Sequence, residues 1–452
     1  MRRNLLVLLV IIIILTNPIL SYGKEVLENN KSIPLTDLKN VFRSYILADY
    51  ETGEILEEHN IEEVVEIASI SKLMSFLVVM DKVEEGKISL DDVIKIDRDT
   101  ARVNGSSFNL KVGEEFTVRE LLEAAIVVSG NDATYALAKH VAGTEAEFVK
   151  LMNQKAKEIG LNNAVFYNCT GLPVEGKDVQ NKMTTKEILK LSQYVIKNYP
   201  IILDISKIKA IEIKERNFFK PNTNPLLFEI EEVDGLKTGF TNKAGYSYVS
   251  TFNKKGKAGE TKDLRLIAIV MGAKDLKVRN QMAKVLVEYG LDNFSNRIIL
   301  DKDAPITTLE IPKGDISEVD IFPEEGFSKL VSKDSKITLT LNIDEINLPI
   351  EKNSKVGRVY VRENDEIIFE TDVLIKEDVN TAKWYVLLWR FIKELFVIEE
   401  SGAIGQENTL SYYSYGDNGE VSLETEIFIK KDIAYPRWYP LLWELIETIF
   451  GY

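Results

Sequence analysis

The sequence predicts an α/β (α+β) protein, with a large domain of mixed helices and strands, then a small β-domain and C-terminal amphipathic helices. Between residues 45 and 289, helical runs with apolar residues three and four apart alternate with strand-like runs. Between residues 306 and 374, apolar and polar residues alternate and Gly, Asn and Asp mark turns. A strand–helix unit then occurs twice near the C-terminus. This change of pattern indicates separate domains.

Composition excludes several classes of protein. The chain has 452 residues, and its 71 Asp and Glu outnumber 56 Lys and Arg, giving a net charge of −15. This argues against a nucleic-acid-binding protein, which needs a basic face for phosphates. The one cysteine, Cys169, cannot form an internal disulfide, and one cysteine with two histidines cannot supply a cysteine-rich zinc site or a three-histidine metal centre. No metal and no organic cofactor is implied.

The N-terminus predicts export. Residues 1–23 combine Arg2 and Arg3, the apolar run Leu5–Leu15, and small residues at 21 and 23, which is the pattern of a signal peptide. The alternative is an uncleaved anchor, but the apolar run is shorter than the ~20 residues that span a bilayer. We therefore expect an exported protein at the outer face of the cytoplasmic membrane or in the cell-wall space.

The large domain, residues 24–298, is expected to begin with a β-hairpin, since alternating runs over Tyr45–Glu57 flank a turn at 51–54. A helix is expected at 117–128, where Thr117 followed by Glu120 forms a capping-box pair. Apolar spacing predicts the other elements. The expected helices cover Ser69–Val83, Asp132–Ile159, Met183–Tyr194 and Asp275–Tyr289, and the expected strands start at Lys237 and cover Tyr246–Thr251 and Leu264–Met271.

The rest of the chain contains an internal repeat. Phe369–Asp378 matches Leu423–Asp432, and Trp384–Trp389 matches Trp438–Trp443. Each unit reads as a strand followed by an amphipathic helix. The expected segments are a β-rich domain at 299–380, an amphipathic helix at 381–397, a partial repeat of the β unit at 398–435 and a C-terminal amphipathic helix at 436–452.

The repeated helices have tryptophan-rich apolar faces, which favour contact with a membrane surface. The alternative is that each helix packs on its own β unit or on its twin. The C-terminal position favours the membrane for the second helix. Because basic residues are few there, any such binding would be mainly hydrophobic.

Three short motifs offer groups for nucleophilic catalysis. Ser69 and Lys72 lie three residues apart at a helix start, so the lysine can reach the serine hydroxyl and act as its base if burial lowers its pKa. Ser129-Gly130-Asn131 offers a second hydroxyl and an amide between two helices. Lys237-Thr238-Gly239 places a cation and a hydroxyl on a strand, where they suit a substrate carboxylate. Each motif alone is weak evidence.

Together and in this order the motifs are specific, and the chain resembles the serine-type D-alanyl-D-alanine carboxypeptidases, the low-molecular-mass penicillin-binding proteins. The second motif has Gly130 where class A β-lactamases have aspartate. The duplicated tail unit departs from the single tail of the family. The resemblance also includes Ile67–Met74, Gly105–Ser107, Leu110–Gly113, Ser129–Ala133, Thr170–Pro173 and Asp234–Thr241.

The resemblance implies a fold and a reaction. Residues 24–298 would be a penicillin-binding/β-lactamase-like catalytic domain, with an antiparallel sheet flanked by helices. Ser69 would attack the carbonyl between the two terminal D-alanines of a peptidoglycan stem peptide, and Lys72 would take its proton. Ser129, linked to Lys72 and Lys237, would pass a proton to the departing D-alanine. β-Lactam antibiotics would acylate Ser69 as covalent inhibitors.

The resemblance also implies the substrate-binding residues. Asn131 would bond the substrate amide, and the backbone N–H groups of Ser69 and Phe240 would hold the oxyanion. The terminal carboxylate would meet Lys237, Thr238 and Arg279, with Gly239 allowing close approach. The expected binding residues are Asn131, Lys237, Thr238, Gly239, Phe240 and Arg279.

Two other functions stay open at this point. A β-lactamase would need a deacylation base, for which Glu158 in Glu158–Asn162 is the candidate, although this segment also reads as a helix end at Gly160. A catalytically idle wall-binding module would depend on the duplicated tail. His59, His140 and Cys169 are read as surface or packed residues.

Overall fold

The computed structural model describes residues 37–397 and 425–428. The expected signal peptide, the C-terminal helix at 436–452 and most of the segment at 398–435 lie outside the described residues. The chain divides into two compact units. The first runs to Lys255 and includes Asp263–Asn293, whereas the second comprises Gly256–Lys262 and the chain from Phe294 onward.

The helices and strands follow one another through both units. The α-helices are α1 (Leu38–Val41), α2 (Lys72–Glu84), α3 (Val118–Val127), α4 (Asn131–Ala142), α5 (Glu145–Glu158), α6 (Thr185–Asn198), α7 (Ile201–Ser206), α8 (Leu276–Asn293) and α9 (Trp384–Val397). The strands are β1 (Ser44–Asp49), β2 (Ile55–His59), β3 (Val64–Glu66), β4 (Val93–Lys95), β5 (Glu115–Thr117), β6 (Lys182–Thr184), β7 (Ala210–Ile213), β8 (Phe218–Pro221), β9 (Val233–Thr241), β10 (Gly245–Lys254), β11 (Thr261–Lys262), β12 (Leu264–Ala273), β13 (Phe294–Leu300), β14 (Thr307–Glu310), β15 (Glu318–Pro323), β16 (Phe327–Ser332), β17 (Ile337–Ile343), β18 (Lys355–Glu363), β19 (Glu366–Ile375) and β20 (Thr425–Phe428).

The first unit is built on an antiparallel sheet with the order β2-β1-β12-β10-β9. Successive side chains of a strand point to opposite faces. Ile267 and Ile269 of β12 join the main hydrophobic core with α2 to α6 on one face. On the other face lies α8, because a methyl group on its Gly290 would lie 3.0 Å from Phe252 and 3.1 Å from Leu266. The sheet is therefore covered by helices on both faces.

Local sequence explains where the helices of this unit begin and end. Thr117 caps α3, and its capping box with Glu120 is fully formed, as the sequence predicts. The single helix expected over 132–159 is instead two helices. Gly143 ends α4 with φ 77°, and the Thr144 side chain caps α5 by accepting the Glu147 N–H at 3.2 Å. Gly followed by Thr is a stop signal next to a start signal.

The second unit is rich in strands. Its larger sheet has the order β14-β15-β19-β18-β17-β20, and a smaller sheet has the order β11-β13-β16. Apolar side chains that alternate along β15, β17, β18 and β19 form its core, which includes Val319, Ile321, Leu339, Leu341, Val359, Val361, Val373 and Ile375. All pairings in the larger sheet are antiparallel except that of β20, which lies parallel to β17.

The first repeated helix, α9, follows this sheet in the chain. Trp384 and Tyr385 near its start are 74% and 53% exposed. The Arg390 guanidinium donates to the carbonyl oxygens of Gly314 at 2.7 Å and Asp315 at 2.8 Å, which holds α9 against its own β unit. Among the residues that the structure describes, no helix combines the length and apolarity needed to cross a bilayer.

Candidate active site

Ser69 and Lys72 lie at the entrance to α2. Ala68–Ser71 forms a 3₁₀ helix that leads directly into α2, so the first turn is tighter than the α-helix expected from the sequence. The Lys72 Nζ atom lies 2.9 Å from Ser69 Oγ. Lys72 is 1% exposed, whereas Ser69 is half-buried. The nucleophile candidate is therefore accessible, and its candidate base is not.

Lys72 has two further hydrogen-bond partners. Its Nζ atom donates to Asn131 Oδ1 at 2.7 Å and to the carbonyl oxygen of Thr170 at 3.1 Å. Burial lowers the pKa of Lys72 from its usual 10.5 to about 7, against a smaller opposing effect of Cys169 and Asp132. Lys72 can therefore exist as a neutral amine near neutral pH.

Ser129 and Asn131 lie between α3 and α4. Ser129 is buried and has a positive φ of 58°, which a side chain other than Gly rarely adopts. The Asn131 amide donates from Nδ2 to the Asn104 carbonyl at 2.7 Å, and this bond orients its Oδ1 toward Lys72. The hydrogen bonds of Lys72 and Lys237 go to other groups, so the described contacts do not link Ser129 to either lysine.

Lys237 and Thr238 lie on β9 at the edge of the described sheet, beside the 3₁₀ turn. A methyl group on Gly239 would lie 3.0 Å from the Ile67 carbonyl and 3.4 Å from the Ala68 Cβ, which shows how closely β9 approaches this turn. Burial lowers the pKa of Lys237 well below its usual value, and nearby Lys72 and Arg279 lower it further. Phe240 follows, 46% exposed and stacked on Tyr246 at 4.0 Å between ring centroids.

Arg279 reaches the same region from α8. It is 3% exposed, donates from Nη1 to the Ser247 carbonyl at 3.2 Å, and lies 5.7 Å from the centroid of the Tyr248 ring. Ser247 and Tyr248 pair with Gly239 and Thr238 of β9. The Arg279 guanidinium therefore contacts the part of β10 that lies next to the Lys237-Thr238-Gly239 motif. Burial lowers the pKa of Arg279 to about 10.

Lys237 and Arg279 bond only neutral oxygens in the described contacts. Buried cations without a carboxylate partner are unfavourable, and an anionic ligand would compensate for that. This arrangement suits a substrate that carries a carboxylate.

Asp132 is a positioning group that the sequence reasoning did not single out. Its carboxylate accepts from Ser107 Oγ at 2.6 Å, from the Phe108 N–H at 2.8 Å and from the Leu110 N–H at 3.1 Å. It thereby fixes the loop whose Ser106 carbonyl accepts the Asn131 N–H at 2.7 Å. The sequence did carry a signal for Asp132, because an acidic residue directly follows Ser129-Gly130-Asn131 at a helix N-terminus.

In the loop 167–172, the sequence resemblance covers only the part from Thr170 onward. Its Thr170 carbonyl is the third partner of Lys72. The Asn168 side-chain oxygen accepts the Gly171 N–H at 2.7 Å, and Asn181 joins the loop to Ser71 by donating to Ser71 Oγ at 2.9 Å. Backbone carbonyls carry no residue-type signal, so the sequence could not identify this contact.

Among the described hydrogen bonds, none joins Ser69 to one of the remaining candidates. Glu158 is exposed at the end of α5 and pairs with Lys155 at 3.5 Å. His140 Nε2 lies 3.5 Å from Asp92, and Cys169 is fully buried. Within the part of the chain that the structure describes, no group of three or more His, Cys, Asp or Glu side chains is arranged to hold a metal ion.

Comparison with known families and structures identifies proteins that this chain resembles. A family model described as D-alanyl-D-alanine carboxypeptidase matches residues 35–275, and one described as the C-terminal domain of penicillin-binding protein 5 matches residues 294–381. Among solved structures, penicillin binding protein 5 from Haemophilus influenzae is similar with a TM-score of 0.56 and 27% identity, covering 75% of this chain and 98% of that chain. The fold class expected from the sequence is thus confirmed.

Two curated relatives match along most of their length. D-alanyl-D-alanine carboxypeptidase DacF of Bacillus subtilis is 31% identical over 398 residues, covering 86% of this chain and 98% of the relative. D-alanyl-D-alanine carboxypeptidase DacC of Escherichia coli is 32% identical over 365 residues, covering 78% of this chain and 88% of the relative. The chain therefore belongs to the D-alanyl-D-alanine carboxypeptidase family and is a serine-type carboxypeptidase of the low-molecular-mass penicillin-binding protein class.

Proposed function

We propose that this enzyme is exported and removes the terminal D-alanine of peptidoglycan stem pentapeptides through an acyl-enzyme on Ser69, and that β-lactams acylate the same hydroxyl. The observation that carries the proposal is the 2.9 Å contact between Ser69 Oγ and a buried Lys72 whose pKa is lowered to about 7. A serine hydroxyl needs such a base to act as a nucleophile near neutral pH.

The partners of Lys72 support its role as a base. A neutral amine has two N–H donors and one lone pair. Asn131 Oδ1 and the Thr170 carbonyl can only accept hydrogen bonds, whereas the Ser69 hydroxyl can also donate. Neutral Lys72 therefore donates to Asn131 and Thr170 and directs its lone pair to the Ser69 proton.

The acylation step follows from this orientation. The Ser69 proton moves to Lys72 Nζ while Oγ bonds the carbonyl carbon between the two D-alanines. The backbone N–H groups of Ser69 and Phe240 stabilise the oxyanion. The carbon–nitrogen bond then breaks, and the proton held by Lys72 passes to the leaving nitrogen, which releases D-alanine and leaves Lys72 neutral. Ser129 bonds neither lysine in the described contacts, so a relay through its hydroxyl requires it to approach Lys72 when substrate is bound. Water next attacks the ester and gives one proton back through Lys72 to Ser69 Oγ.

The substrate carboxylate would occupy the region of the buried cations. In this proposal Lys237, Thr238 and Arg279 bind the carboxylate, and Gly239 allows a close backbone approach. Asn131 has one Nδ2 hydrogen beyond the one donated to Asn104, which is available for the substrate amide. This recognition of a terminal carboxylate favours a carboxypeptidase.

Export and contact with a membrane surface belong to the same proposal. Residues 1–23 supply the export signal, and the exposed Trp384 and Tyr385 of α9 support contact of the tail with lipid headgroups. The bonds of Arg390 to its own β unit support the alternative, in which α9 packs on the second unit. Sedimentation of the full chain with lipid vesicles decides between the two.

The test of the proposed function follows D-alanine release from a pentapeptide and intact mass after mixing with penicillin. We expect release by the wild type, no release by Ser69→Ala, and a persistent adduct on the wild type alone. Release by Ser69→Ala at the wild-type rate would refute the role of Ser69. Rapid turnover of penicillin would instead indicate a β-lactamase, for which the exposed position of Glu158 gives no support.

A further inference from the structure

The Thr170 carbonyl lies in a segment without regular secondary structure. Between the end of α5 and the start of β6, side chains, turns and an isolated bridge from Val165 to Lys182 fix the backbone, and no helix or extended sheet ladder does. This carbonyl nevertheless accepts from Lys72 at 3.1 Å and, together with Asn131 Oδ1, determines where the amine directs its lone pair. Whatever holds the backbone at Cys169 and Thr170 therefore helps to hold the base.

Glu145 holds the residue before Thr170, which is Cys169. One carboxylate oxygen, Oε1, accepts the backbone N–H of Cys169 at 3.0 Å and its thiol S–H at 3.1 Å. On the α2 side, the Ser75 hydroxyl donates to the Cys169 carbonyl at 2.6 Å. Successive carbonyls, of Cys169 and Thr170, thus bond Ser75 and Lys72, which lie one turn apart on α2.

The position of Glu145 suits this task. It lies in the first turn of α5, where a carboxylate is stabilised by the helix N-terminus, and Thr144 caps the same turn. The neighbouring core residues Phe148 and Met152 of α5 are 0% exposed, so the helix is a rigid support. Cys169 is also 0% exposed, and its backbone N–H would be a buried unsatisfied donor without the carboxylate.

We propose that Glu145 is a positioning residue for the reaction: it holds Cys169, the residue before Thr170, so that the Thr170 carbonyl keeps Lys72 oriented toward Ser69. The proposal rests on the proposed acylation of Ser69. The proposed role belongs to the side-chain oxygen of Glu145, which acts as a hydrogen-bond acceptor in a fixed place. It does not depend on the negative charge of the carboxylate. A displaced acceptor misaligns the base, and a misplacement of about 1 Å can slow a reaction by ~100-fold.

The test measures acylation by a fluorescent penicillin at saturating concentration at pH 9, using the full chain. The first-order rate constant of labelling depends only on the molecules that react. The amplitude of labelling gives the fraction of the protein that is folded. For Glu145→Ala we expect the rate constant to fall at least about tenfold, with half-saturation within about twofold of wild type. Glu145→Gln, which keeps a side-chain oxygen, should stay within about threefold of wild type.

Matched controls separate the possible results. Glu147→Ala lies on the same helical turn and should acylate at the wild-type rate. A wild-type rate in Glu145→Ala, or an equal loss in Glu145→Gln, would overturn the role of Glu145. If Glu145→Ala gives no labelled protein, Glu145→Asp decides, because its shorter side chain withdraws the oxygen: slower acylation supports the proposal and an unchanged rate overturns it. Failure of the wild type to label would contradict the proposed function instead.

Discussion

Gly171 packs so closely against Ala68 that a methyl group in place of its α-hydrogen would overlap the Ala68 carbonyl oxygen. Both residues have positive φ angles, of 86° and 47°. Ala68 precedes the nucleophile candidate Ser69, and Gly171 follows the Thr170 carbonyl that Lys72 bonds. The contact therefore sets the distance between two backbone segments that hold the reacting side chains.

We predict that Gly171→Ala destabilises the protein and abolishes acylation. Overlap with a backbone atom adds to the ~1–2 kcal/mol that a side chain pays in the left-handed region, so the free energy of unfolding should fall by about 4 kcal/mol. Denaturant unfolding and labelling by fluorescent penicillin measure the two effects. Gly176→Ala is the matched control, because Gly176 also has a positive φ of 70° but nothing within 4 Å of an added methyl. Equal losses in both variants would contradict the prediction.

We predict that acylation increases with pH and reaches a plateau. Below a pKa of about 7, Lys72 binds a proton and has no lone pair for Ser69, so the rate should fall about tenfold for each pH unit. Above pH 8 the amine is neutral and the rate should be constant. Stopped-flow acylation between pH 5 and pH 9 checks this, and a rate independent of pH over that range would exclude Lys72 as the base.

The same burial predicts how stability depends on pH. The pKa of Lys72 is lower in the folded state than in the unfolded state, where it is near 10.5. Between about pH 7 and 10.5 the unfolded chain therefore binds more protons, and the Lys72 contribution to stability rises with pH; below pH 7 both states are protonated and this contribution is constant. Lys72→Met should flatten this rise in denaturant titrations at pH 7 and pH 9. An unchanged difference between the two pH values would show that Lys72 stays charged.

Asp132→Asn should loosen the loop 107–110. The amide retains one oxygen but presents an N–H₂ group to donors, so at least one of the groups that Asp132 now satisfies is left unpaired, at about 1–3 kcal/mol. We expect faster hydrogen exchange at the Phe108 and Leu110 amides together with that loss of stability. Ser107→Ala removes only the hydroxyl partner and serves as the control. Wild-type protection of both amides in Asp132→Asn would contradict the prediction.

Arg279→Ala should weaken recognition of the terminal carboxylate. A hydrogen bond to a charged group contributes roughly 1.5–3 kcal/mol, so kcat/KM for a peptide ending in D-Ala-D-Ala should fall about 10- to 100-fold. The same peptide with a C-terminal amide lacks the carboxylate and should lose little. Lys284→Ala, on the same helix and paired with Glu229 at 2.9 Å, is the control. Equal losses for both peptides would show that Arg279 acts on the fold and not on the carboxylate.

Local signals in the sequence were sufficient for much of the fold and for part of the site. Three of these features involve residues that are close in the chain, so the sequence shows them directly. They are the capping box of Thr117 and Glu120, the β1–β2 hairpin and the spacing of Ser69 and Lys72. The division of the helix expected at 132–159 depended on Gly143 and Thr144, whose stop and start signals are short.

The rest of the site required contacts between distant segments. Glu145 reaches Cys169, and Lys72 reaches Thr170, only because α2, α5 and an irregular loop pack together. Two of the groups involved are a backbone N–H and a backbone carbonyl, which carry no residue-type signal. The conformation of Ala68 is similarly set by its neighbours, because alanine has no intrinsic preference for a positive φ.

The parallel pairing of β20 with β17 has a consequence for solubility. An uncovered outer strand presents a row of free backbone N–H and C=O groups, onto which another polypeptide can add and aggregate. Residues Thr425–Phe428 occupy part of that row through pairs from Leu339–Thr425 to Asn342–Phe428. A chain shortened to end at Val397 should therefore self-associate more readily than the full chain, which light scattering at increasing concentration would detect. The second copy of the repeat thus protects the β-rich domain from association with other copies of the same chain.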